Sequence, residues 1–260
     1  MIMKGSNSKI ISISNQKGGV GKTTSAINIA SYLAATEIST LLIDMDPQAN
    51  STSGVGVEIG SYENSIYDVL VKKIKPKDAI QKTKLDFLDV IPSSAQLVGA
   101  EIELVSEMSR EFMLKDGLEA LKKKYEYIII DSPPSLGLLT LNVLTASDSI
   151  IIPIQCEYYA LEGLSQLLNT IRLVQKRLNK SLEIEGILVT MYDSRLNLSK
   201  QVVAELEEYF QDKVYNTYIH RNVRLGEAPS HGKPILLYDA SCTGAQDYMN
   251  LVSEILTSNE

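Results

Sequence analysis

Two lysines, Lys17 and Lys22, bracket the glycine-rich turn of "NQKGGVGKTT" (Asn15–Thr24). Gly18, Gly19 and Gly21 let the backbone curl its N–H groups around phosphate oxygens, with Val20 between them. A helix starting at this point adds the positive end of its dipole. Lys22 would neutralise β/γ-phosphate charge, and the Thr23 hydroxyl, followed by Thr24, would ligate Mg²⁺. The strict G-x-x-x-x-G-K-[ST] pattern fails at its first position, where Gln16 stands. An ordinary glycine-rich strand–helix turn is the competing reading. The apolar run before the turn and the helical run after it supply the context that a phosphate loop requires. One lysine suffices for such a loop, so Lys17 needs its own explanation.

Three aspartates could complete a nucleotide-hydrolysing centre. Asp131 ends the apolar run "YIIIDSPP" and could act in the Mg²⁺ shell through water. Pro133 and Pro134 then stop the strand and stiffen a loop placed to sense a γ-phosphate. Asp44 and Asp46, in "DMDPQ", point to one side of an extended chain. One could orient an attacking water while the other holds Mg²⁺-bound water as a second-layer group. A strand end capped by Asp before Pro47 is the simpler alternative.

The elements needed to hold these groups are legible as alternating runs. Lys9–Ser14, Thr40–Asp46, Phe87–Pro92, Tyr127–Pro134, Ser149–Gln155 and Glu185–Asp193 read as strands, mostly apolar on both faces. Helical periodicity covers Thr23–Ala35, Glu111–Lys124, Leu161–Leu178 and Leu198–Gln211. The alternation predicts α/β architecture: a doubly wound, mostly parallel central sheet flanked by helices, with ligands at the carboxyl ends of the strands. Nothing resembles a linker or a repeat, so residues 1–260 are expected to form one domain. The stretch Glu58–Thr83 reads as polar and irregular, with no role assigned.

Composition narrows the function classes. The 260 residues are 44% hydrophobic, enough for a full core, and carry a formal net charge of −7. A globally basic nucleic-acid coat is excluded, so any DNA contact must come from a local patch. Cys156 and Cys242 have no CxxC or Cys/His pairing, which excludes a disulfide scaffold and fits a reducing cytosol. No apolar run of membrane-spanning length occurs, and a cytoplasmic protein is expected.

"KGGVGKTT", "DMDPQ", "IIIDSPPSLG", "CEYYALEGLSQL" and "RNVRLGEAPSHGKPI" together resemble the ParA/Soj family of chromosome- and plasmid-partitioning ATPases, from about Ile10 to Asp247. The first motif alone marks only the deviant Walker A group of P-loop NTPases; the last two point to the partitioning branch. The short N-terminus is similar to the small type without a helix-turn-helix domain. The resemblance implies ATP and Mg²⁺ as cofactors, with Asp46 positioning the attacking water, Asp131 acting through the Mg²⁺ shell and Asn222 recognising adenine. It gives Lys17 a role in trans, touching the partner's nucleotide across an ATP-sandwiched homodimer. It also implies nonspecific binding of double-stranded DNA at or beside Arg195, Arg221 and Arg224, a nucleoid-associated location, and turnover stimulated by a ParB-like protein. Without an arginine in the phosphate loop, intrinsic hydrolysis is expected to be weak.

Some details depart from the pattern or carry less. His220 stands where the family usually has proline. Tyr158 and Tyr159 are expected to support the sheet edge and dimer face. Lys122–Lys124 read as the cationic end of a helix, with a second DNA contact as the alternative. A MinD-like membrane ATPase would share Lys17 but needs a basic amphipathic C-terminal helix, and residues 241–260 contain no Lys or Arg. An iron–sulfur carrier would need paired cysteines. A nucleotide-switched regulator of replication initiation stays open beside partitioning.

Overall fold

The structure is a computed structural model that describes residues 8–157 and 160–259; Tyr158 and Tyr159 lie outside the described residues. Eight strands form one sheet in the order β3-β4-β2-β5-β1-β6-β7-β8. Their ranges are β1 Lys9–Ile13, β2 Thr40–Asp44, β3 Gln81–Lys82, β4 Leu88–Ile91, β5 Tyr127–Asp131, β6 Ser149–Gln155, β7 Glu183–Tyr192 and β8 Ile219–His220. Every strand pairing is parallel except β3 with β4. This is the doubly wound sheet expected from the sequence.

The helices are α1 Lys22–Ala35, α2 Asn50–Gly54, α3 Ile66–Leu70, α4 Leu97–Glu103, α5 Met113–Leu118 and α6 Leu138–Ala146. They continue with α7 Ala160–Arg177, α8 Asn197–Phe210, α9 Val223–Glu227, α10 Ile235–Tyr238 and α11 Thr243–Ser258. Successive strand side chains enter opposite layers, as the period of two requires. Ile11, Ile13 and Ile129 pack with α1 and α11, whereas Ile10, Ile128 and Ile130 pack with α3–α6. A third core covers β6 and β7, where Leu164, Leu167, Ile171 and Val174 form the buried stripe of α7.

The sheet positions the site. From β1 the chain crosses through α1 to β2 on one side, and from β6 through α7 to β7 on the other. The carboxyl end of β1 therefore opens into a crevice between oppositely directed crossovers. Asp44 and Asp131 end β2 and β5 as direct register partners beside it.

Several local expectations are corrected. The region 58–83 is not irregular: a Ser65/Asp68 capping box starts α3, a 3₁₀ turn spans Pro76–Ala79, and β3 follows. The expected helix Glu111–Lys124 is a 3₁₀ turn at Arg110–Phe112 followed by the short α5. Gly117 disfavours continuation of the helix. Lys122 instead pairs with Glu119, and Lys124 with Asp89.

Candidate functional site

The turn between β1 and α1 is built to wrap an anion. Gly19 (φ 75°) and Gly21 (φ 86°) occupy the left-handed region that glycine adopts without strain. Gly21 caps α1 with no side-chain hydrogen bond and no acidic residue in the first turn, so the leading N–H groups remain for a ligand. Gln16 has no positive φ, and thus needs no glycine; its side chain donates to Gly163 O at 2.9 Å, tying the turn to α7. Asn15 braces the same turn, donating to Pro153 O at 2.7 Å and accepting from Lys17 N at 3.0 Å. The Thr190 hydroxyl holds Val20 O at 2.9 Å.

Lys22 is buried and folds back to donate to Lys17 O at 2.9 Å. Burial holds its ammonium below the ordinary lysine value, while Asp131 and Asp46 oppose that shift. Lys17 points elsewhere: its Nζ pairs with Glu157 Oε2 at 2.5 Å, just beyond β6.

The carboxylates divide the work. Asp44 is fully buried and spends its oxygens on the chain, accepting from Thr52 N (2.8 Å), Thr52 Oγ1 (2.7 Å) and Asp46 N (3.1 Å). It braces the loop that carries Asp46. Asp46 in turn accepts from Gln48 N at 2.9 Å. Asp131 Oδ2 accepts from Ser51 Oγ at 2.6 Å, and the Thr23 hydroxyl lies beside the same carboxylate. Asp131 Oδ1 is buried without a hydrogen-bond partner. Burial, then the neighbouring Asp44, lift the Asp131 carboxyl well above the usual range. A buried carboxylate oxygen without a donor, beside a hydroxyl at a phosphate turn, fits a hydrated Mg²⁺.

A cavity of about 290 Å³ opens directly on Gly21 and Thr24. Met191, His220, Asn222, Leu225 and Tyr248 are among its lining residues. Asn222 Oδ1 accepts from Arg224 N at 2.9 Å, which turns the amide N–H₂ away from that bond and leaves it to donate to a base. Tyr248 donates to or accepts from Ser25 at 3.0 Å, linking the cavity wall to α1. His220 is fixed by Asp247, which accepts from its backbone N at 2.9 Å and lies 3.1 Å from its Nδ1. Proline at this position would have no N–H to give.

A model of the AAA domain family matches residues 8–184. The sporulation initiation inhibitor protein Soj of Bacillus subtilis is 61% identical over 247 residues, covering 95% of this chain and 98% of that one. The chromosome partitioning protein ParA of Myxococcus xanthus is 54% identical, with coverage of 95% and 88%. The chain belongs to the ParA/Soj family of partitioning ATPases.

Solved structures agree with ParA/Soj architecture. A putative plasmid partition protein from Borrelia burgdorferi, bound to AMPPNP, is 29% identical with a TM-score of 0.82, covering 97% of this chain and 100% of that one. The cobyrinic acid a,c-diamide synthase of Mycobacterium smegmatis, with bound ATP analog and magnesium, is 33% identical with a TM-score of 0.85 and 97% coverage of each.

Of the three arginines named from the sequence, Arg221 is among the residues lining the cavity, and Arg195 and Arg224 are not. Arg195 makes a forked pair with Asp193, at 2.9 and 2.7 Å. Arg224 pairs with Glu227 at 2.9 Å and Asp239 at 3.5 Å. Arg221 is exposed, with no ion pair within 4.0 Å among the described residues. Sequence reasoning missed Glu157, Ser51, Thr52, Thr190 and Tyr248. Only the hydroxyls of Ser51 and Thr52, close behind "DMDPQ", gave a local signal. No helix among the described residues is long and apolar enough to cross a membrane.

Proposed function

We propose that the chain is an Mg·ATP-dependent switch that partitions chromosomal or plasmid DNA. The observation that carries this is one continuous cleft, in which a base-sized cavity opens onto Gly21 and Thr24 of a phosphate-wrapping turn. ATP binds with adenine against Asn222 and its phosphates on Gly18–Thr24. Lys22 leaves Lys17 O to neutralise the β/γ oxygens. Thr23, and Asp131 through water, would hold Mg²⁺, which supplies charge compensation at the transferring phosphoryl group. Asp46, held by the Asp44–Thr52 brace, positions the attacking water. Lys17 reaches to the nucleotide of a second copy, so the γ-phosphate joins two protomers.

Joining them doubles the arginine surface offered by Arg195, Arg221 and Arg224. Nonspecific DNA affinity rises steeply with the number of phosphate contacts, so an acidic monomer lets go where the dimer holds. Hydrolysis is slow unaided, for no arginine lies in the turn, and a ParB-like partner accelerates it. The location that follows is cytoplasmic, on the nucleoid.

The test uses Asp46→Ala, expected to bind ATP without hydrolysing it. Fluorescence anisotropy of a random-sequence duplex at moderate salt should rise with ATP and not with ADP. No binding in either state removes the DNA role.

A further inference from the structure

His220, standing where the family usually has proline, lines the base cavity together with Asn222. Strand β8 ends at His220, Arg221 N still donates to Tyr192 O at 3.1 Å, and Asn222 is itself extended (φ −143°, ψ 124°). Residues two apart on an extended chain present their side chains to one side. His220 and Asn222 therefore belong to one surface.

Their chemistry is complementary. Asn222 Oδ1 is committed to Arg224 N at 2.9 Å, so the amide meets a ligand as a donor. Adenine asks for more than a donor. Beside its acceptor ring nitrogen it presents the N6 amine, which needs an acceptor. An asparagine free at both ends can serve both positions; this one serves the first.

His220 supplies the other half. The buried Asp247 carboxylate accepts from the His220 backbone N at 2.9 Å and lies 3.1 Å from Nδ1. A carboxylate accepts and does not donate, so the neutral imidazole carries its proton on Nδ1 and a lone pair on Nε2. The Tyr192 ring braces the imidazole edge-on, with centroids 5.7 Å apart. Nε2 has no hydrogen-bond partner among the described residues, and the side chain is 45% exposed.

We propose that His220 Nε2 accepts the N6 amine of adenine while Asn222 donates to the neighbouring ring nitrogen, making His220 a specificity-determining residue of this chain. Guanine and hypoxanthine carry an oxygen where adenine has its amine, and that oxygen meets the Nε2 lone pair. Proline has no side-chain acceptor, so the contact belongs to this histidine. The inference rests on the reading above that the base of ATP lies against Asn222.

The test is calorimetric titration of the full chain, with Mg²⁺, by ADP, inosine diphosphate and purine riboside diphosphate. The last has only hydrogen in place of the amine, and diphosphates keep hydrolysis out of the readout. Wild type should bind ADP about tenfold more tightly than either analogue, as one hydrogen bond in a closed site allows. His220→Phe keeps a ring against Tyr192 and removes the acceptor. It should bind ADP no more tightly than purine riboside diphosphate, with its affinity for that analogue unchanged from wild type. His220→Pro installs the residue the family usually has and should lose the same preference, which guards against a folding defect in the phenylalanine variant. An ADP preference kept in both variants overturns the proposal and gives the amine to a backbone carbonyl. A parallel fall in all three affinities also overturns it, because a merely structural histidine does not distinguish the bases. Wild type that binds the three diphosphates equally sinks the role of His220 alone; wild type that binds none sinks the ATP reading with it.

Discussion

Lys17 Nζ sits 2.5 Å from Glu157 Oε2, so the lysine assigned to a partner's nucleotide is held here by a carboxylate of its own chain. Both side chains are about half-exposed, 37% and 47%. An exposed ion pair is worth about 0–1 kcal/mol, enough to bias Lys17 without locking it. Glu157→Gln should therefore lower the ATP concentration that half-dimerises the protein, by about twofold to tenfold for the two pairs released. Light scattering across an ATP titration reads this directly. An unchanged midpoint would show that Glu157 does not compete with the γ-phosphate.

The Asp44–Asp131 register pair should make the ligand-free protein less stable as pH rises. Burial comes first, and the facing charge adds to it, in lifting the Asp131 carboxyl above its unfolded value. For a raised acid, the folded state keeps a proton that the unfolded state loses. Stability is thus full below the unfolded value of about 3.9 and falls as pH climbs to the raised folded one. Asp131→Asn removes that loss. Its ligand-free Tm at pH 8 should exceed wild type by several degrees, at about 2–4 °C per kcal/mol, and the gap should close toward pH 4. The same variant should gain no further Tm from Mg·ATP.

The main strands were legible because a covered parallel sheet demands apolar runs on both faces, as Tyr127–Asp131 and Ser149–Gln155 show. The phosphate turn was legible because its chemistry is local. Helix α6 was not: its sequence "LLTLNVLTA" is apolar nearly all round, which obscures helical period in a buried segment. Helix α11 was read only for its lack of Lys and Arg, although Tyr248, Leu251, Val252 and Ile255 are its buried face. Glu157, just beyond β6, and Tyr248, on α11, reach the site from far along the sequence, and only the fold brings them there. Hence the phosphate side could be read directly, and the base side only through Asn222 and the resemblance.

The three arginines should not contribute equally to DNA binding. Arg195 and Arg224 already pair with carboxylates of the same chain, and a phosphate must displace those partners first. Arg221 has no such competitor within 4.0 Å among the described residues. Arg221→Ala should therefore weaken ATP-dependent duplex binding more than Arg195→Ala does. Each phosphate contact contributes about −0.9 to the slope of log K against log[salt], so the Arg221 variant should flatten the dimer's slope by about 2. Anisotropy titrations at several salt concentrations would reveal it; equal losses for both variants would place the contact elsewhere.

Asp89 gives the fold an acid-sensitive tie away from the nucleotide cleft. It lies on β4, buried, accepting from Tyr125 at 2.6 Å and pairing with Lys82 at 2.8 Å and Lys124 at 3.3 Å. Burial alone would raise its carboxyl, but hydrogen bonds from Lys82 and Tyr125 and the two lysine charges outweigh it and hold the group below the usual value. A depressed acid contributes stability that is present above its unfolded value of about 3.9 and lost as pH falls through the folded one. Asp89→Asn should cost about 1–3 kcal/mol at pH 7, because it strips charge from a buried, hydrogen-bonded cluster. Urea unfolding at pH 7 and at a series of acid pH values separates this from a packing defect. The difference between wild type and Asp89→Asn must shrink as pH falls through the lowered folded value of Asp89; a difference constant across the acid range would assign the loss to shape rather than charge.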